Sequence, residues 1–378
     1  MIDTPPGNRY NTGHTANFIS ARALSFSVRR DSALVFFSDE QERGICMKNW
    51  KKLLCAAMAS CALTAAATLD ISAAADAAPE PHKPVIGITW KSNTQDYTAF
   101  KKIIEMAGGI PVELPQVKSK DVAYNADGSV KKDCVYPSGM LKEEYADAIK
   151  DNRFDNTNVA EAMKGVDGVF FTGGEDISPS LYRIPQKEEN LGGAINAARD
   201  ISDYTLMSYC IENNIPAFAV CRGQQMLGIV SGAAMIQDLP TYYNANSPEK
   251  EAAIKGVHRY IPGTTEDYVH HDVSIFNIPS HLHEIVGADH LEKVSSWHHQ
   301  AVLSIKGTPL VQTAETIRGG VSVLEGIENP YRDFIVGVQF HPENDLKEVL
   351  INGKDPSGFC DTDTCLRFFR ALVKAASK

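Results

Sequence analysis

The sequence has no basic stripe, no C-x-x-C pair, no internal repeat and no strongly apolar run of bilayer-spanning length. Each absence removes a class. With 37 Lys and Arg against 47 Asp and Glu, the net charge is −10, which argues against a phosphate-backbone partner, because nucleic-acid binding rests on clustered cations that release counterions. Eight cysteines in 378 residues are too few for a disulfide scaffold, and no Cys/His spacing of a common zinc site is present. His258, His270, His271, His281, His283 and His290 are scattered through loop-like sequence, so no metal is expected. The composition is 43% hydrophobic and 22% charged, which is globular and neither disordered nor fibrous.

The one long apolar stretch lies early. Met47-Lys48-Asn49-Trp50-Lys51-Lys52 followed by Leu53 to Leu69 reads as the basic and apolar regions of a signal peptide. The run is Ala-rich and broken at Asp70, short of the ~20 strongly apolar residues that span a membrane. Ala75 and Ala77 supply an A-x-A cleavage site, so residues 47–77 are expected to be removed and the product exported to the periplasm or secreted, with no stable membrane insertion after processing. Residues 1–46 then read as an upstream extension or a disordered segment, with Met47 as the true start. Gln41-Glu42-Arg43-Gly44 can be encoded by the purine-rich codons of a bacterial ribosome-binding site. A lipoprotein anchor at Cys61, from Met58-Ala59-Ser60-Cys61, is the weaker reading.

From Pro84 the chain alternates short apolar runs with helical patterns, as in a parallel sheet covered by helices. Strands are expected at Val85 to Thr89, Ile110 to Leu114, Gly168 to Thr172, Ala217 to Val220, Val273 to Ile275, Val321 to Leu324 and Phe334 to Gln339. Helices are expected at Asp96 to Met106, Val159 to Lys164, Arg199 to Asn213 and Thr364 to Lys374. The polar stretch at about 117–158 exceeds an ordinary connection and reads as an insertion near the site, in the manner of a lid. One domain, 84–376, accounts for the whole.

Three motifs carry chemistry. Val220-Cys221-Arg222-Gly223-Gln224-Gln225, at the end of a buried strand and the start of a helix, has the setting of a nucleophile elbow, with Ala219 and Gly223 small enough for the sharp turn. A helix N-terminus favours a thiolate through its dipole. Gly337-Val338-Gln339-Phe340-His341-Pro342-Glu343 offers a general base and an orienting carboxylate, since Pro342 favours extended geometry at His341 and residues two apart in an extended chain share a side. Thr172-Gly173-Gly174-Glu175-Asp176 pairs glycines after a strand, where backbone N–H groups can face an oxyanion.

This ordered set resembles the class I glutamine amidotransferase-like superfamily and, within it, the γ-glutamyl-γ-aminobutyrate hydrolase (peptidase C26) family. The resemblance extends to Ala107-Gly108-Gly109-Ile110-Pro111, Ile177-Ser178-Pro179-Ser180-Leu181-Tyr182, Arg199-Asp200, Gln237-Asp238-Leu239 and Ser296-Trp297-His298-His299-Gln300. It implies an α/β fold, a three-layer α/β/α sandwich with a mostly parallel, flavodoxin-like central sheet. It also implies hydrolysis of γ-glutamyl amides by a Cys221, His341 and Glu343 triad without a cofactor. Backbone N–H groups of Gly174 and Arg222 would meet the oxyanion, and Gly173, Gln225, His298, His299 and Gln300 would line the pocket for a small γ-glutamyl substrate. The alternatives are an ammonia-donating glutaminase subunit and a non-catalytic binding protein of the same fold. Ala219 and Gly228 depart from the usual Gly and Asn, which leaves the leaving amine open. Oligomeric state is open, a homodimer included, as is disulfide pairing among Cys134, Cys360 and Cys365.

Overall fold

The computed structural model describes residues 82–378 except 92, 152–153, 188–192, 251–255 and 260–267. The extension read at 1–46, the leader at 47–77 and the anchor at Cys61 lie outside the described residues.

The chain begins with the expected βαβ unit: β1 (Val85–Ile88), α1 (Thr94–Met106) and β2 (Ile110–Glu113). Asn93 caps α1, its side chain accepting from Asp96 N at 2.8 Å. Helices α2 (Glu143–Asp151) and α3 (Val159–Ala162) lead into β3 (Gly168–Phe171), α4 (Ala197–Glu212), β4 (Ala217–Val220) and α5 (Arg222–Val230). Next come β5 (Ala234–Ile236), α6 (Leu239–Asn246), β6 (Val269–Ile275), α7 (His281–Val286), β7 (His290–Ser296) and β8 (Ala301–Ser304). The chain closes with β9 (Val311–Arg318), β10 (Val321–Glu328), β11 (Ile335–Val338), α8 (Pro342–Leu346) and α9 (Thr362–Ala376).

One large sheet runs β2-β1-β3-β4-β11-β10-β9-β6-β7, and β5 pairs with β8 in a separate ribbon. The first five strands are parallel, as the alternation predicted. They continue into an antiparallel wing, β10-β9-β6-β7, that the helical rhythm did not announce. A sequence signal for that wing exists at Gly319-Gly320, both at positive φ between the paired residues Arg318 and Val321, the form of a tight hairpin turn.

The parallel half is covered on both faces, which is why β3 and β4 read as unbroken apolar runs and are buried throughout. Val169, Phe171, Ala217 and Ala219 belong to the core beneath α4 and α5. Phe170, Phe218 and Val220 turn the other way, against Phe368 and Phe369 of α9. This three-layer sandwich leaves the carboxyl ends of β1, β3, β4 and β11 side by side, and such ends are where open α/β sheets bind ligands.

In place of a lid, the 117–158 segment is a buttress. Val117, Val122, Cys134, Leu141, Ala146 and Ile149 are buried in the core on the α4 side. Leu141 N donates to Ser178 Oγ at 3.0 Å and Ser180 Oγ donates to Leu141 O at 2.6 Å, so the segment braces the loop after β3 from behind. Among the described residues Cys134, Cys210, Cys221, Cys360 and Cys365 are free thiols. Cys134 lies in the core on one side of the sheet, while Cys360 and Cys365 lie in the core on the other, so Cys134 cannot pair with either.

Candidate active site

Cys221 leaves β4 at φ 52° and ψ −106°, a left-handed conformation that costs an ordinary residue about 1–3 kcal/mol and persists only where the surroundings hold it. Here Cys221 N donates to Val338 O at 2.7 Å, and Cys221 O accepts from Gln225 N at 3.0 Å. Gly223 is a steric requirement of the same turn: a Cβ there would lie 2.8 Å from Phe171 O and 2.9 Å from Phe171 Cβ. Ala219 Cβ would stand 3.3 Å from that position, close but tolerable, so a methyl at 219 is compatible with the elbow.

His341 arrives from β11, the strand beside β4, and its N–H donates to Ser295 O at 2.8 Å. Its Nδ1 lies 2.6 Å from Glu343 Oε1. The pair meets as the sequence suggested but by another route. Pro342 occupies the first turn of α8, a position its ring suits, and Glu343 reaches back to His341 from that turn rather than along an extended strand. Burial pulls the imidazole down, but the Glu343 carboxylate and Cys221 outweigh it and hold His341 well above its ordinary range. Gly173 sits between the two catalytic candidates: a Cβ there would be 2.8 Å from His341 Cε1 and 3.6 Å from Cys221 Cβ.

The glycine strap is held from behind by two buried arginines. Arg199 Nη2 donates to Thr172 O at 3.1 Å and to Gly173 O at 2.7 Å, and its Nη1 meets Glu175 Oε2 at 2.7 Å. A Cβ on Gly174 would collide with Arg199 Nη1 at 2.0 Å. In a trans peptide the carbonyl and the following N–H point oppositely, so the bond that draws Gly173 O toward Arg199 turns Gly174 N–H away from it. The Arg222 guanidinium is spent on structure, pairing with Asp200 Oδ1 at 2.5 Å, with Asp203 Oδ2 and with Glu175 O at 3.0 Å. Its backbone N–H lies in the first turn of α5, where donors lack intrahelical partners. Burial pushes Asp200 up to about 6 even against Arg222. Sequence reading named Arg199-Asp200 without a role; the i, i+4 spacing of Arg199 and Asp203 on α4 was the available signal.

Cys221, Gly173, Gly174, Gln225, His298, His299, Gln300, His341 and Glu343 all border one cleft of about 430 Å³. Gln225 Nε2 donates to Gln300 O at 3.0 Å and Gln339 Oε1 at 3.2 Å, fixing the cleft floor. His299 engages both nitrogens, with Asp176 at 2.9 Å and Asp238 at 3.4 Å. Burial opposes its protonation, but the Asp176 contact outweighs this and raises it. His298 gives Nδ1 to Gln300 O at 2.8 Å, and burial holds it down at about 3. Both histidines therefore shape the wall with nitrogens already committed or turned elsewhere. Asp96, Arg259 and Lys347, which sequence reading did not select, add charge of both signs to the cleft.

The chain belongs to the peptidase C26 family, whose model matches residues 149–343. It is 29% identical over 272 residues to protein NtpR of Enterococcus hirae, covering 69% of this chain and 91% of that protein. It is 26% identical over 336 residues to the glutamine amidotransferase-like protein RP404 of Rickettsia prowazekii, covering 78% and 98%. Similarity to the γ-glutamyl-γ-aminobutyrate hydrolase PuuD of Escherichia coli is 23% identity over 193 residues, covering 51% and 70%.

Proposed function

We propose that the chain hydrolyses γ-glutamyl amides through a thioester on Cys221. The observation that carries this reading is the His341–Glu343 contact of 2.6 Å beside a positive-φ cysteine at the cleft. The Cys221 sulfur, its proton held by His341, adds to the γ-carbonyl carbon, and the carbonyl oxygen takes the negative charge between Gly174 N–H and Arg222 N–H. Collapse breaks the C–N bond as His341 protonates the departing amine. Water then gives a proton to His341 and adds to the thioester; collapse breaks the C–S bond and releases glutamate. Arg259 lines the cleft as a cation for the substrate α-carboxylate, while the other charged lining residues, Asp96 with Lys347, Glu175 with Arg199 and Asp176 with His299, are paired within the protein. Relatives named for γ-glutamyl-γ-aminobutyrate hydrolysis support the chemistry. The similarity to RP404 favours a second reading, a glutaminase that donates ammonia.

The test is glutamate release from a panel of γ-glutamyl amides that includes glutamine, by the chain and its Cys221→Ala variant. Release from conjugates, falling at least ~10⁴-fold in the variant, is expected. Activity on glutamine alone would promote the ammonia-donating reading, and no Cys221-dependent release from any amide would overturn both.

A further inference from the structure

Behind the wall that His298 gives to the cleft, three imidazoles and a carboxylate converge from four separate places in the chain. His271 lies on β6, His298 follows β7, Glu325 lies on β10, and His258 precedes β6. All four are buried, with Glu325 wholly inaccessible. Each imidazole spends one nitrogen on the protein. His298 Nδ1 faces Gln300 O at 2.8 Å, His271 Nδ1 faces Asp272 O at 3.1 Å, and His258 Nε2 faces Tyr243 Oη at 3.4 Å. Carbonyl partners fix Nδ1–H in His298 and His271, so their Nε2 atoms carry lone pairs.

Among the described residues the other nitrogens, His258 Nδ1, His271 Nε2 and His298 Nε2, have no hydrogen-bond partner, and neither does either oxygen of Glu325. One donor atom from each of the four residues lies within 4.8 Å of all the others. Burial pulls the three imidazoles down, His271 to about 4 and His298 to about 3, and pushes the Glu325 carboxyl up to about 8. Polar atoms left without partners in a dry interior are costly. Direct hydrogen bonds do not resolve this, since His258 Nδ1 and His271 Nε2 stand 3.4 and 3.6 Å from Glu325 Oε1, beyond the roughly 2.7–2.9 Å of a charge-assisted bond. Those separations match the edge of a tetrahedron with bonds near 2.05 Å, about 3.3 Å.

We propose that His258, His271, His298 and Glu325 form a closed four-coordinate site for a divalent transition metal, zinc being the ion best suited to it. Three imidazoles and one carboxylate are a zinc-type donor set rather than a magnesium or calcium one. Four protein ligands leave no open position, so the ion is structural. The carbonyl and hydroxyl contacts on the outer ring nitrogens are the orienting partners that metal-bound histidines use. The sheet is shaped for the same purpose. Pairing of β10 with β9 passes from Leu324 to Gly326, leaving Glu325 as the extra residue of a bulge, and the β6–β7 ladder has a second bulge beside His271, its extra residue on β7 between Leu291 and Val294. Bulges re-aim side chains in this way. Because His298 N also donates to His258 O at 2.8 Å, the ion ties the segments bearing Arg259 and Trp297 to β6 and β10, and so fixes one wall of the cleft. The site stands whether or not the γ-glutamyl chemistry is correct.

The experiment uses the untagged full chain. Its zinc content is measured by plasma mass spectrometry, and chelator-stripped protein is titrated with Co²⁺ alone. About one ion per chain, visible bands of four-coordinate cobalt and a rise in Tm on loading are expected, with the bands lost in His271→Ala and Glu325→Gln. A wild-type chain that takes up neither ion and shows no Tm change overturns the proposal. So does a cobalt spectrum dominated by sulfur charge transfer, which would move the ion to Cys360 and Cys365. If the variants fail to fold, the wild-type spectrum alone decides.

Discussion

Two buried polar clusters flank Cys221, and they are built on opposite plans. Behind the glycine strap, Arg199 and Arg222 meet Glu175, Asp200 and Asp203 so that cations and anions answer one another within the chain. Behind the other wall, His258, His271, His298 and Glu325 gather polar atoms that have no hydrogen-bond partner among the described residues. The first cluster matches its charges as the chain folds, each cation meeting an anion, with Asp203 Oδ1 the one carboxylate oxygen of Asp200 and Asp203 left without a hydrogen-bond partner among the described residues. The second gathers polar atoms without partners and, with the proposed metal, is completed by a cation from outside. A cleft between them has one wall whose geometry follows from sequence alone and one whose geometry follows from sequence plus an ion.

The comparison breaks most visibly at Arg222. In Arg222→Ala, Asp200 keeps Ser178 but loses its cation, and among the described residues Asp203 is left with Arg199. Removing one partner from a buried ionic network costs about 3–5 kcal/mol. Urea denaturation of the metal-loaded chain should show that loss. A shift below ~1 kcal/mol would mean that the charge-matched cluster is dispensable, and the contrast between the two walls would fall.

A smaller effect is expected at Arg199, a positioning residue. Lysine keeps the charge but not the fork that reaches Thr172 O, Gly173 O and Glu175 together. With Gly173 O released, Gly174 N–H no longer has a fixed direction. Arg199→Lys should lower kcat about 10- to 100-fold, within the ~10²–10³ range of losing a whole oxyanion donor, with KM changed little. A rise in KM at unchanged kcat would assign Arg199 to substrate binding instead of to the strap.

How much of this was legible in the sequence follows from the reach of each signal. Cys221 with Gly223, and His341 with Glu343, are contiguous motifs whose geometry is set by one turn and one proline, so the residues themselves declare them. The parallel half of the sheet was legible for the same reason, each strand being an apolar run with a helix after it. The imidazole cluster was not. His271 and Glu325 come together through β9, which pairs Ser274 on one side and Leu324 on the other with Glu315, and a bulge then selects which β10 side chain turns inward. No local spacing encodes a register across three strands. The lid reading of 117–158 differs from the structure because the segment's polar composition hides six widely spaced apolar residues that pack into the core on the α4 side.

The faintest expected effect sharpens the contrast by taking a charge pair out of the interior. Asp96 Oδ1 and Lys347 Nζ meet at 2.9 Å at the cleft, with the Asp96 side chain 36% exposed. Burial opposes ionisation of Asp96, but its bonds to Asn93 and Lys347 outweigh it and hold the carboxyl below its ordinary value of 3.8. A folded-state value lowered in this way contributes stability above the unfolded pKa and loses it as pH falls through the folded one. Solvent screening keeps such a pair within about 1 kcal/mol. Lys347→Met should therefore lower stability at pH 7 by no more than that, and the deficit should shrink as pH is taken below the aspartate range. A loss comparable to that of Arg222→Ala, or one unchanged at acid pH, would show that exposure does not separate this pair from the buried network.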